Sequence, residues 1–352
     1  MEQVAPDQSN ARLVRVALAL MICVLATGIA VAYLWLRPTG YVASEMVFTS
    51  GELGQDLDLY QADQFGRHRV RLTKSPGYEI FPAWSPDGSK LLFLRTAEIE
   101  GLASEEEWAR TGVYVVDFEG SKPTEQLIGG AHDLGYGVPS WSPDGLSIGV
   151  LSLAPSERGD GSPDSVLTFV DLKSGAQARI PLSVTATVME RALSWSPDGT
   201  RVAFDAWAPR AGGRGTGDPS RWGYVYDLAQ GRLTQLVPNT AAILWSPKAE
   251  LLACQDRHEP GSIHLVQSDG TLVRTLEVGD RVTDLAWSPD GSALAVCRES
   301  DGESAEVAIV SLEDGDLAVY PSGADRVVQY LAWSSDGRYL ASPTSTWIWT
   351  SN

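Results

Sequence analysis

A five-residue phrase that recurs six times along the chain is the feature that most restricts its fold. Full copies of Trp-Ser-Pro-Asp-Gly start at Trp84, Trp141, Trp195 and Trp287. Two degenerate copies start at Trp245 (WSPKA) and Trp333 (WSSDG). Ser, Pro, Asp and Gly in this order are typical of a type I turn, because proline presets the φ angle of its first central residue. Recurrence every 42 to 57 residues indicates an array of similar structural units.

Each copy of the phrase stands between two apolar segments. One short segment ends in the tryptophan, and an apolar run such as residues 90–94 follows the turn. A third segment ends in Asp and a turn, as in the run that starts at Val113, and a fourth such as residues 124–128 closes the unit. Four antiparallel strands in a unit of this length predict one blade of a β-propeller. We expect the tryptophan to pack between adjacent blades.

These motifs support a family resemblance. The WSPDG turn, the apolar strand after it and the third strand of the form V-x-D-x-x-x-G resemble the TolB-type, WD-repeat-like β-propellers over residues 45–352. The resemblance implies an all-β, six-bladed propeller. Members of the family include periplasmic protein-binding modules and the substrate-gating propellers of some serine peptidases. No catalytic residue belongs to the repeat itself, so the resemblance assigns none to this chain.

The number of blades follows from counting innermost strands. Six such strands, one before each repeat tryptophan, predict six blades. Residues 45–73 look like strands two to four of a blade without its first strand, which the strand ending at Trp333 could supply. Residues 339–342 and 346–350 add two more candidate strands, so a seventh blade is the alternative.

A membrane segment is expected before the propeller. The 21 residues from Val16 to Leu36 carry no charge and as a helix would span about 31 Å, close to the roughly 30 Å hydrocarbon core of a bilayer. Arg12 and Arg15 precede the segment and Arg37 follows it. The positive-inside rule therefore predicts a single-pass signal anchor with a cytoplasmic tail (residues 1–15), a transmembrane helix (16–36), a linker (37–44) and an extracytoplasmic propeller (45–352). A cleaved signal peptide, with a small-x-small site at residues 30–32, is the alternative.

Composition excludes several classes of function. The chain has 27 basic and 45 acidic residues, and its net charge of −18 argues against a nucleic-acid binder or a polybasic lipid-binding protein. Its four histidines lack zinc-type spacing, so we expect no metal or other cofactor.

The two cysteines of the propeller are expected to be buried free thiols. Cys254 and Cys297 occupy equivalent second-strand positions in consecutive blades. Packed sheets lie about 10 Å apart, which is too far for an easy disulfide.

One catalytic pattern occurs by its letters alone. Residues 145–149 (GLSIG) match the nucleophile elbow G-x-S-x-G. They directly follow a repeat turn, within an expected strand, whereas a catalytic serine needs a strained strand-to-helix bend. We therefore predict a protein that is not an enzyme.

Long loops are expected on one face of the propeller. Connections from strand one to two and from three to four are tight, whereas insertions fall between strands two and three, at residues 96–111, 153–165 and 206–222. Long loops on a rigid scaffold are where binding usually occurs. The candidate interaction face comprises Trp108, Trp207, Arg210, Arg214, Arg221 and Trp222. The alternative is a solvated loop whose tryptophans pack against a blade edge.

Polar residues that lead into the innermost strands are expected to surround the channel mouth on the same face. They are Tyr78, Glu79, His132, Asp133, Tyr136, Glu190, Arg191, Asp280, Arg281, Asp325, Arg326 and Gln329. Acids and arginines in this arrangement could bind a peptide terminus, a sugar or a loop of a partner. The alternative is a ring of intramolecular ion pairs without a binding function.

The leading functional hypothesis is a scaffold of the cell envelope that binds a protein partner or another envelope component through the long-loop face. A small-molecule or carbohydrate sensor, or a hydrolase or lyase that uses the channel mouth, is the alternative. A permanent structural subunit of a membrane complex is a third hypothesis. The sequence leaves the partner and the oligomeric state open.

Overall fold

The computed structural model is an all-β propeller. It describes residues 35–36, 46–50, 57–62, 68–96, 112–118, 123–130, 134, 137–154, 164–186, 193–207, 221–279, 281–300, 304–321, 331–333, 337, 339–341 and 346–348. All strand pairs within its sheets are antiparallel.

Six sheets contain a repeat tryptophan at the end of the innermost strand, and we number these blades 1 to 6. Blade 1 consists of β5 (Tyr78–Trp84), β6 (Lys90–Thr96), β7 (Gly112–Asp117) and β8 (Thr124–Gly130). Blade 2 consists of β9 (Pro139–Trp141), β10 (Ser147–Ala154), β11 (Asp164–Asp171) and β12 (Gln177–Leu182). Blade 3 consists of β13 (Thr185–Ala186), β14 (Ser194–Trp195), β15 (Arg201–Trp207), β16 (Arg221–Asp227) and β17 (Arg232–Pro238).

The remaining repeat blades have the same strand order. Blade 4 consists of β18 (Thr240–Trp245), β19 (Leu252–Asp256), β20 (Ser262–Val266) and β21 (Leu272–Glu277). Blade 5 consists of β22 (Arg281–Trp287), β23 (Ala293–Ser300), β24 (Ser304–Ser311) and β25 (Leu317–Pro321). Blade 6 consists of β26 (Ala332–Trp333), β27 (Tyr339–Ala341) and β28 (Thr346–Ile348). The prediction of six repeat blades is confirmed.

The N-terminal strands form a sheet of their own. This sheet consists of β1 (Trp35–Leu36), β2 (Met46–Ser50), β3 (Asp58–Ala62) and β4 (Val70–Arg71). It packs against β5 of blade 1 and β26 of blade 6. Its innermost strand is β1, whereas β26 pairs with β27. The expectation that the strand ending at Trp333 completes the N-terminal sheet is therefore wrong, and the extra sheet corresponds to the seventh unit of the alternative.

Only the last two residues of the expected membrane segment are described. They form β1, which lies before the expected start of the propeller at residue 45. Residues 1–34 and the expected linker at 37–44 lie outside the described residues. Within the part of the chain that the structure describes, we find no helix with the length and apolar character that a membrane crossing requires.

The repeat turns have the geometry that their sequence predicts. In the first copy the Gly88 N–H donates to the Ser85 carbonyl at 2.8 Å, which is the bond that closes a type I turn. The Asp87 carboxylate accepts the Ser85 hydroxyl at 2.6 Å and the Ser89 N–H at 3.0 Å. Gly88 has a φ of 72°, a conformation that glycine adopts without strain. The same closing bond occurs at 2.9 Å in the turns of blades 2, 3 and 5.

The repeat tryptophans pack between blades, as expected. The indole N–H of Trp141 donates to the carbonyl of Ala83 at 2.9 Å, and that of Trp287 donates to the carbonyl of Leu244 at 3.1 Å. In each case the acceptor belongs to the innermost strand of the preceding blade. The apolar cores lie between adjacent sheets, and the indoles of Trp141 and Trp287 each add a hydrogen bond across such a core.

The GLSIG segment has a structural explanation. Residues 147–149 belong to β10, which is a regular strand paired with β9 and β11. A Cβ atom on Gly149 would lie 2.9 Å from Cζ2 of Trp195. Gly149 therefore allows the tryptophan of blade 3 to approach the sheet of blade 2.

The two cysteines lie on opposite faces of their blades. Cys254 packs against blade 3, together with Ala203 and Val225, whereas Cys297 packs against Leu331 and Trp333 at the boundary with blade 6. The expectation of equivalent positions is wrong. Leu252 is the strand partner of Trp245, and Cys254 follows it by two residues. Leu294 is the strand partner of Trp287, and Cys297 follows it by three residues. A shift of one residue reverses the face of a strand residue. Both thiols are free and buried, as expected, and burial raises the pKa of Cys254.

Candidate functional site

The structure describes one third of the predicted site residues. Tyr78, Glu79, Trp207, Arg221, Trp222 and Arg281 are within the described ranges. Those outside are Trp108, His132, Asp133, Tyr136, Glu190, Arg191, Arg210, Arg214, Asp280, Asp325, Arg326 and Gln329. The composition of the interaction face and of the channel mouth therefore stays a prediction. The six described members show the surroundings of their own side chains.

The two described tryptophans of the interaction face lie on opposite sides of blade 3. Trp222 pairs with Ala206 and packs against the core between blades 2 and 3. Trp207 pairs with Arg221, and this is the pair next to Ala206 and Trp222. Because consecutive pairs of a sheet point to opposite faces, Trp207 points toward blade 4. There the guanidinium of Arg257 lies over its ring, with Cζ 5.4 Å from the ring centroid. Trp222 therefore contributes to the apolar packing between blades 2 and 3.

Arg221 is not part of a solvated basic loop, and this prediction is wrong for it. The residue begins strand β16, is 5% exposed and forms an ion pair with Asp205. Asp205 is 6% exposed. A buried charge is tolerated when an opposite charge with hydrogen bonds accompanies it. Arg221 thus belongs to the boundary between blades 3 and 4 as a buried pair.

The connection between β19 and β20 in blade 4 forms a hydrogen-bonded loop beside Trp207. We call residues 257–261 the blade 4 loop. The carboxylate of Asp256 accepts the N–H groups of His258 at 2.7 Å and Glu259 at 2.9 Å, and it lies 3.0 Å from Nε2 of His264. Although burial alone would raise the pKa of Asp256, these hydrogen bonds hold the pKa below its ordinary value. The Asp256 side chain therefore fixes the start of the loop as an anion.

The blade 4 loop is also bonded to the connections on both sides of it. The Arg257 N–H donates to the carbonyl of Asn239 at 2.7 Å, in the connection from blade 3. On the other side, the Val278 N–H donates to the carbonyl of Gly261 at 2.9 Å, and the Val282 N–H donates to that of Pro260 at 2.8 Å. Both ends of the loop are therefore fixed, while Arg257, His258 and Glu259 remain exposed.

Glu79 is buried and cannot serve as an available acid at the channel mouth. Its carboxylate is 0% exposed and forms an ion pair of 2.6 Å with Arg95, which also binds Glu125 at 2.7 Å. The Thr73 hydroxyl donates to the same carboxylate. Burial raises the pKa of Glu79, and the bonds from Thr73 and Arg95 oppose that shift. Tyr78, beside it, is also buried at 8% exposure.

Arg281 is the described member of the channel-mouth set that is exposed. Its side chain is 70% exposed, and its Nη1 lies 3.7 Å from Oε2 of Glu299 in the neighbouring strand. For these two residues the arrangement agrees with the alternative of intramolecular ion pairs. Within the described part of the chain, no three His, Cys, Asp or Glu side chains are placed so that they could hold a metal ion.

Sequence reasoning missed the residues that make up the blade 4 loop. The segment Asp256-Arg257-His258-Glu259 follows an apolar strand directly. It belongs to a connection on the long-loop face, but the connection is short and lacks the length that marks the three insertions. An acidic residue that ends a strand and is followed by a charged turn was the available signal.

Comparison with known proteins agrees with this fold. The family model "Anaphase-promoting complex subunit 4 WD40 domain" matches residues 243–336, which span most of blades 4 and 5. No curated protein matches the chain. Among solved structures, TolB from Acinetobacter baumannii is 20% identical with a TM-score of 0.52, covering 84% of this chain and 64% of that one. The crystal structure of the mitotic checkpoint complex contains a chain that is 18% identical with a TM-score of 0.59, covering 92% of this chain and 88% of that one.

The class of protein follows from the fold and the matches together. The chain has a β-propeller fold similar to those of TolB and of a chain of the mitotic checkpoint complex, and part of it matches a WD40-domain model. It spans 64% of the length of the TolB chain.

Proposed function

We propose that the protein is a membrane-anchored, extracytoplasmic scaffold that binds a protein partner or another cell-envelope component through its long-loop face. The observation that carries this proposal is the contact between Arg257 of the blade 4 loop and Trp207 at the end of β15 in blade 3. Arginine and tryptophan are enriched among the residues that dominate binding energy at interfaces. Arg257 stands on a loop that hydrogen bonds fix on both sides, and Trp207 ends a paired strand, which lowers the entropic cost of binding.

The similar proteins support a role in assembly. One solved structure is of the mitotic checkpoint complex, and the matching family model is named for a subunit of the anaphase-promoting complex. Both names refer to multi-protein assemblies. A rigid propeller that presents loops on one face suits such a role, because loops on a fixed scaffold can vary without loss of the fold.

The membrane anchor is part of the proposal, with an end that differs from the first expectation. Since β1 begins at Trp35, we place the anchor in residues 16–34. This segment has no charged residue and as a helix would measure about 29 Å, which is still near the thickness of the hydrocarbon core. Arg12 and Arg15 support an orientation with the N-terminal tail in the cytoplasm.

A reporter fusion tests the orientation. Alkaline phosphatase, which is active only outside the cytoplasm, would be fused after Asn352, and green fluorescent protein would be fused there in a second strain. We expect the first strain to show phosphatase activity and the second strain to show no fluorescence. Phosphatase inactivity together with bright fluorescence would contradict the proposed localisation.

Co-purification after brief cross-linking tests the binding function. The full-length protein would be purified in mild detergent, beside a variant in which a short Gly-Ser turn replaces residues 208–220. Trp207 and Arg221 are direct cross-strand partners, so a short turn can connect them. A matched control replaces residues 155–163 of blade 2, which connect the same two strand positions of that blade.

We expect the wild-type protein to capture a stoichiometric partner, which the variant without residues 208–220 loses and the blade 2 control retains. Circular dichroism and thermal melting of each variant would establish that the propeller is folded. The absence of any partner with the folded wild-type protein would contradict the proposed function.

A further inference from the structure

Arg257 stands out among the described arginines because of what surrounds it. Several others form ion pairs within the chain: Arg71 with Asp58, Arg95 with Glu79, Arg201 with Glu250, Arg221 with Asp205, Arg281 with Glu299 and Arg298 with Glu306. Among the residues that the structure describes, no carboxylate lies within ion-pair distance of Arg257. Its guanidinium instead lies on the ring of Trp207, with Cζ 5.4 Å from the centroid.

This contact orients the guanidinium without using its hydrogen-bond donors. A cation over an aromatic ring is held by the ring quadrupole at separations up to about 6 Å. The N–H groups of arginine lie in the guanidinium plane and form a fork that matches the two oxygens of a carboxylate. A stacked arginine without an ion pair is therefore prepared to bind such a group.

The backbone below Arg257 is fixed as well. The Arg257 N–H is bonded to the Asn239 carbonyl at 2.7 Å, and the next two N–H groups of the loop are bonded to Asp256. The Asp256 carboxylate is thereby occupied, since it also contacts His264. A carboxylate ligand would bind a side chain whose backbone is already ordered, so less conformational entropy is lost on binding.

The charge of the rest of the protein makes this position selective. With a net charge of −18, the molecule repels an acidic segment over most of its surface. The exposed Glu259 lies two residues from Arg257 and would repel a second acid there, whereas the exposed His258 would not. An acidic ligand is therefore attracted at Arg257 and excluded from much of its surroundings, which defines how it can lie on this face.

We propose that Arg257, stacked on Trp207, is the anchoring point for a carboxylate of an acidic peptide segment in the partner. This proposal rests on the proposed function and names the class of partner for the same face. The carboxylate comes from an Asp or Glu side chain or from the C-terminus of the partner. Both sources share the same chemistry, and the experiment separates them.

The test measures binding of hexapeptide pools to the full-length protein in detergent. One pool has a fixed central Asp and an amidated C-terminus, the second has Asn at that position with a free C-terminus, and the third has Asn and an amidated C-terminus. Fluorescence anisotropy of labelled pools gives the affinity. We expect the first or the second pool to bind, according to the source of the carboxylate, and the third to bind at least about tenfold more weakly.

Variants of the protein assign the binding to Arg257. Arg257→Gln should weaken the binding pool by about tenfold or more, because a charge-assisted bidentate contact is lost. Arg257→Lys should restore part of the affinity, since it keeps the charge but not the fork. The matched control is Arg232→Gln, which removes the same charge from an exposed position at the opposite, tight-turn end of blade 3. It should leave the affinity unchanged.

The outcomes separate this proposal from the proposed function. Equal binding of all three pools, binding of none, or equal affinity of wild type and Arg257→Gln would overturn the carboxylate anchor. If Arg257→Gln still captures the cross-linked partner that a loop variant loses, the scaffold function holds and the anchor is refuted. If a carboxylate pool binds wild type and fails to bind Arg257→Gln while no partner is captured, the anchor holds and the scaffold function is refuted.

Discussion

The two ends of the blades are held together in different ways. At the tight-turn end the same short bonds recur, since a glycine N–H closes on a serine carbonyl and an aspartate caps the next residues in blades 1, 2, 3 and 5. At the long-loop end the contacts differ from blade to blade. They include Arg95 with Glu79 in blade 1, Asp256 with His264 in blade 4 and Arg298 with Glu306 in blade 5.

This difference separates stability from specificity. A repeated turn can be copied from blade to blade because it depends on four residues that are close in sequence. Contacts at the long-loop end join residues 8 to 30 positions apart, and blades 1, 3, 4 and 5 each have a different pair. Variation at one end without loss of the ring is what a binding scaffold requires. The following predictions test this comparison.

The largest effect is expected from the core between the blades, which both ends depend on. Trp141→Ala removes a buried indole that is 9% exposed and its bond to the Ala83 carbonyl. We expect a loss of about 3–5 kcal/mol in the free energy of unfolding, because the large cavity cannot close. Urea denaturation followed by tryptophan fluorescence and circular dichroism measures it. The control Trp222→Ala, at a partly exposed position, should lose less than half as much, and equal losses would contradict the comparison.

The second largest effect is expected at the buried ion pair of blade 1. Arg95→Met leaves the Glu79 carboxylate fully buried, with the Thr73 hydroxyl as a remaining donor. We expect a loss of about 3 kcal/mol at neutral pH, because a buried charge without its counterion is strongly destabilising. The matched control Arg281→Met removes an arginine that is 70% exposed and should cost less than about 0.5 kcal/mol.

The same variant has a defined pH dependence. Burial raises the folded-state pKa of Glu79 above its ordinary value, and removal of Arg95 raises that pKa further. Such a group contributes stability below its unfolded-state pKa, and this contribution is lost as the pH rises through the folded-state pKa. Arg95→Met should therefore approach wild-type stability near about pH 4 and fall away from it toward neutral pH. A difference from wild type that does not change with pH would refute the assignment to Glu79.

A smaller effect is expected at the repeat turns. The hydrogen bonds of Asp198 with Ser196 and Thr200 lower its pKa to about 2, against the effect of burial. Since the side chain is half exposed at 50%, solvent screening reduces the contribution, and Asp198→Asn should cost only about 1 kcal/mol at neutral pH. Denaturant unfolding at neutral pH measures this cost.

Acid unfolding provides the second measurement on the same turn. An acid with a lowered folded-state pKa contributes stability above its unfolded-state pKa, which is lost as the pH falls. Wild type should therefore lose more stability than Asp198→Asn between about pH 4 and about pH 2. Lys248→Asn is the control, because the turn of blade 4 has lysine at this position and no carboxylate is removed. An equal acid response of wild type and Asp198→Asn would contradict the role of the turn.

The repeat made the tight-turn end predictable from sequence. The phrase starting at Trp84 contains the residues that form the turn, cap it and pack behind it, so local preferences and tertiary structure agree. The long-loop end was less predictable because strand residues alternate between faces. Trp207 and Trp222 flank one insertion, yet they point to opposite sides of blade 3. Sequence order alone does not give the cross-strand register that decides this.

Charged residues show the same limit. Glu79 and Arg281 both lead into innermost strands, and the sequence grouped them together at the channel mouth. The structure buries the first with Arg95 and exposes the second. The neighbouring sheet causes this difference in burial. The N-terminal strands cover the start of blade 1, where the Thr49 hydroxyl donates to the Glu79 carbonyl at 2.9 Å. A partner so distant in sequence is not visible in the local pattern.

The smallest effect is expected at the Arg281–Glu299 pair of blade 5, and it decides between two roles for Arg281. Glu299→Gln removes the partner of an arginine that is 70% exposed at a separation of 3.7 Å, so the free energy of unfolding should change by less than about 0.5 kcal/mol. Denaturant unfolding measures this change, and capture of the cross-linked partner is measured on the same protein. Unchanged stability with unchanged capture would identify the pair as a solvated contact without function. Unchanged stability with altered capture would place Arg281 in the binding face and extend that face from blade 4 to blade 5. A loss of several kcal/mol would contradict the comparison itself, because a pair with a solvent-exposed arginine would then stabilise the ring as strongly as a buried pair.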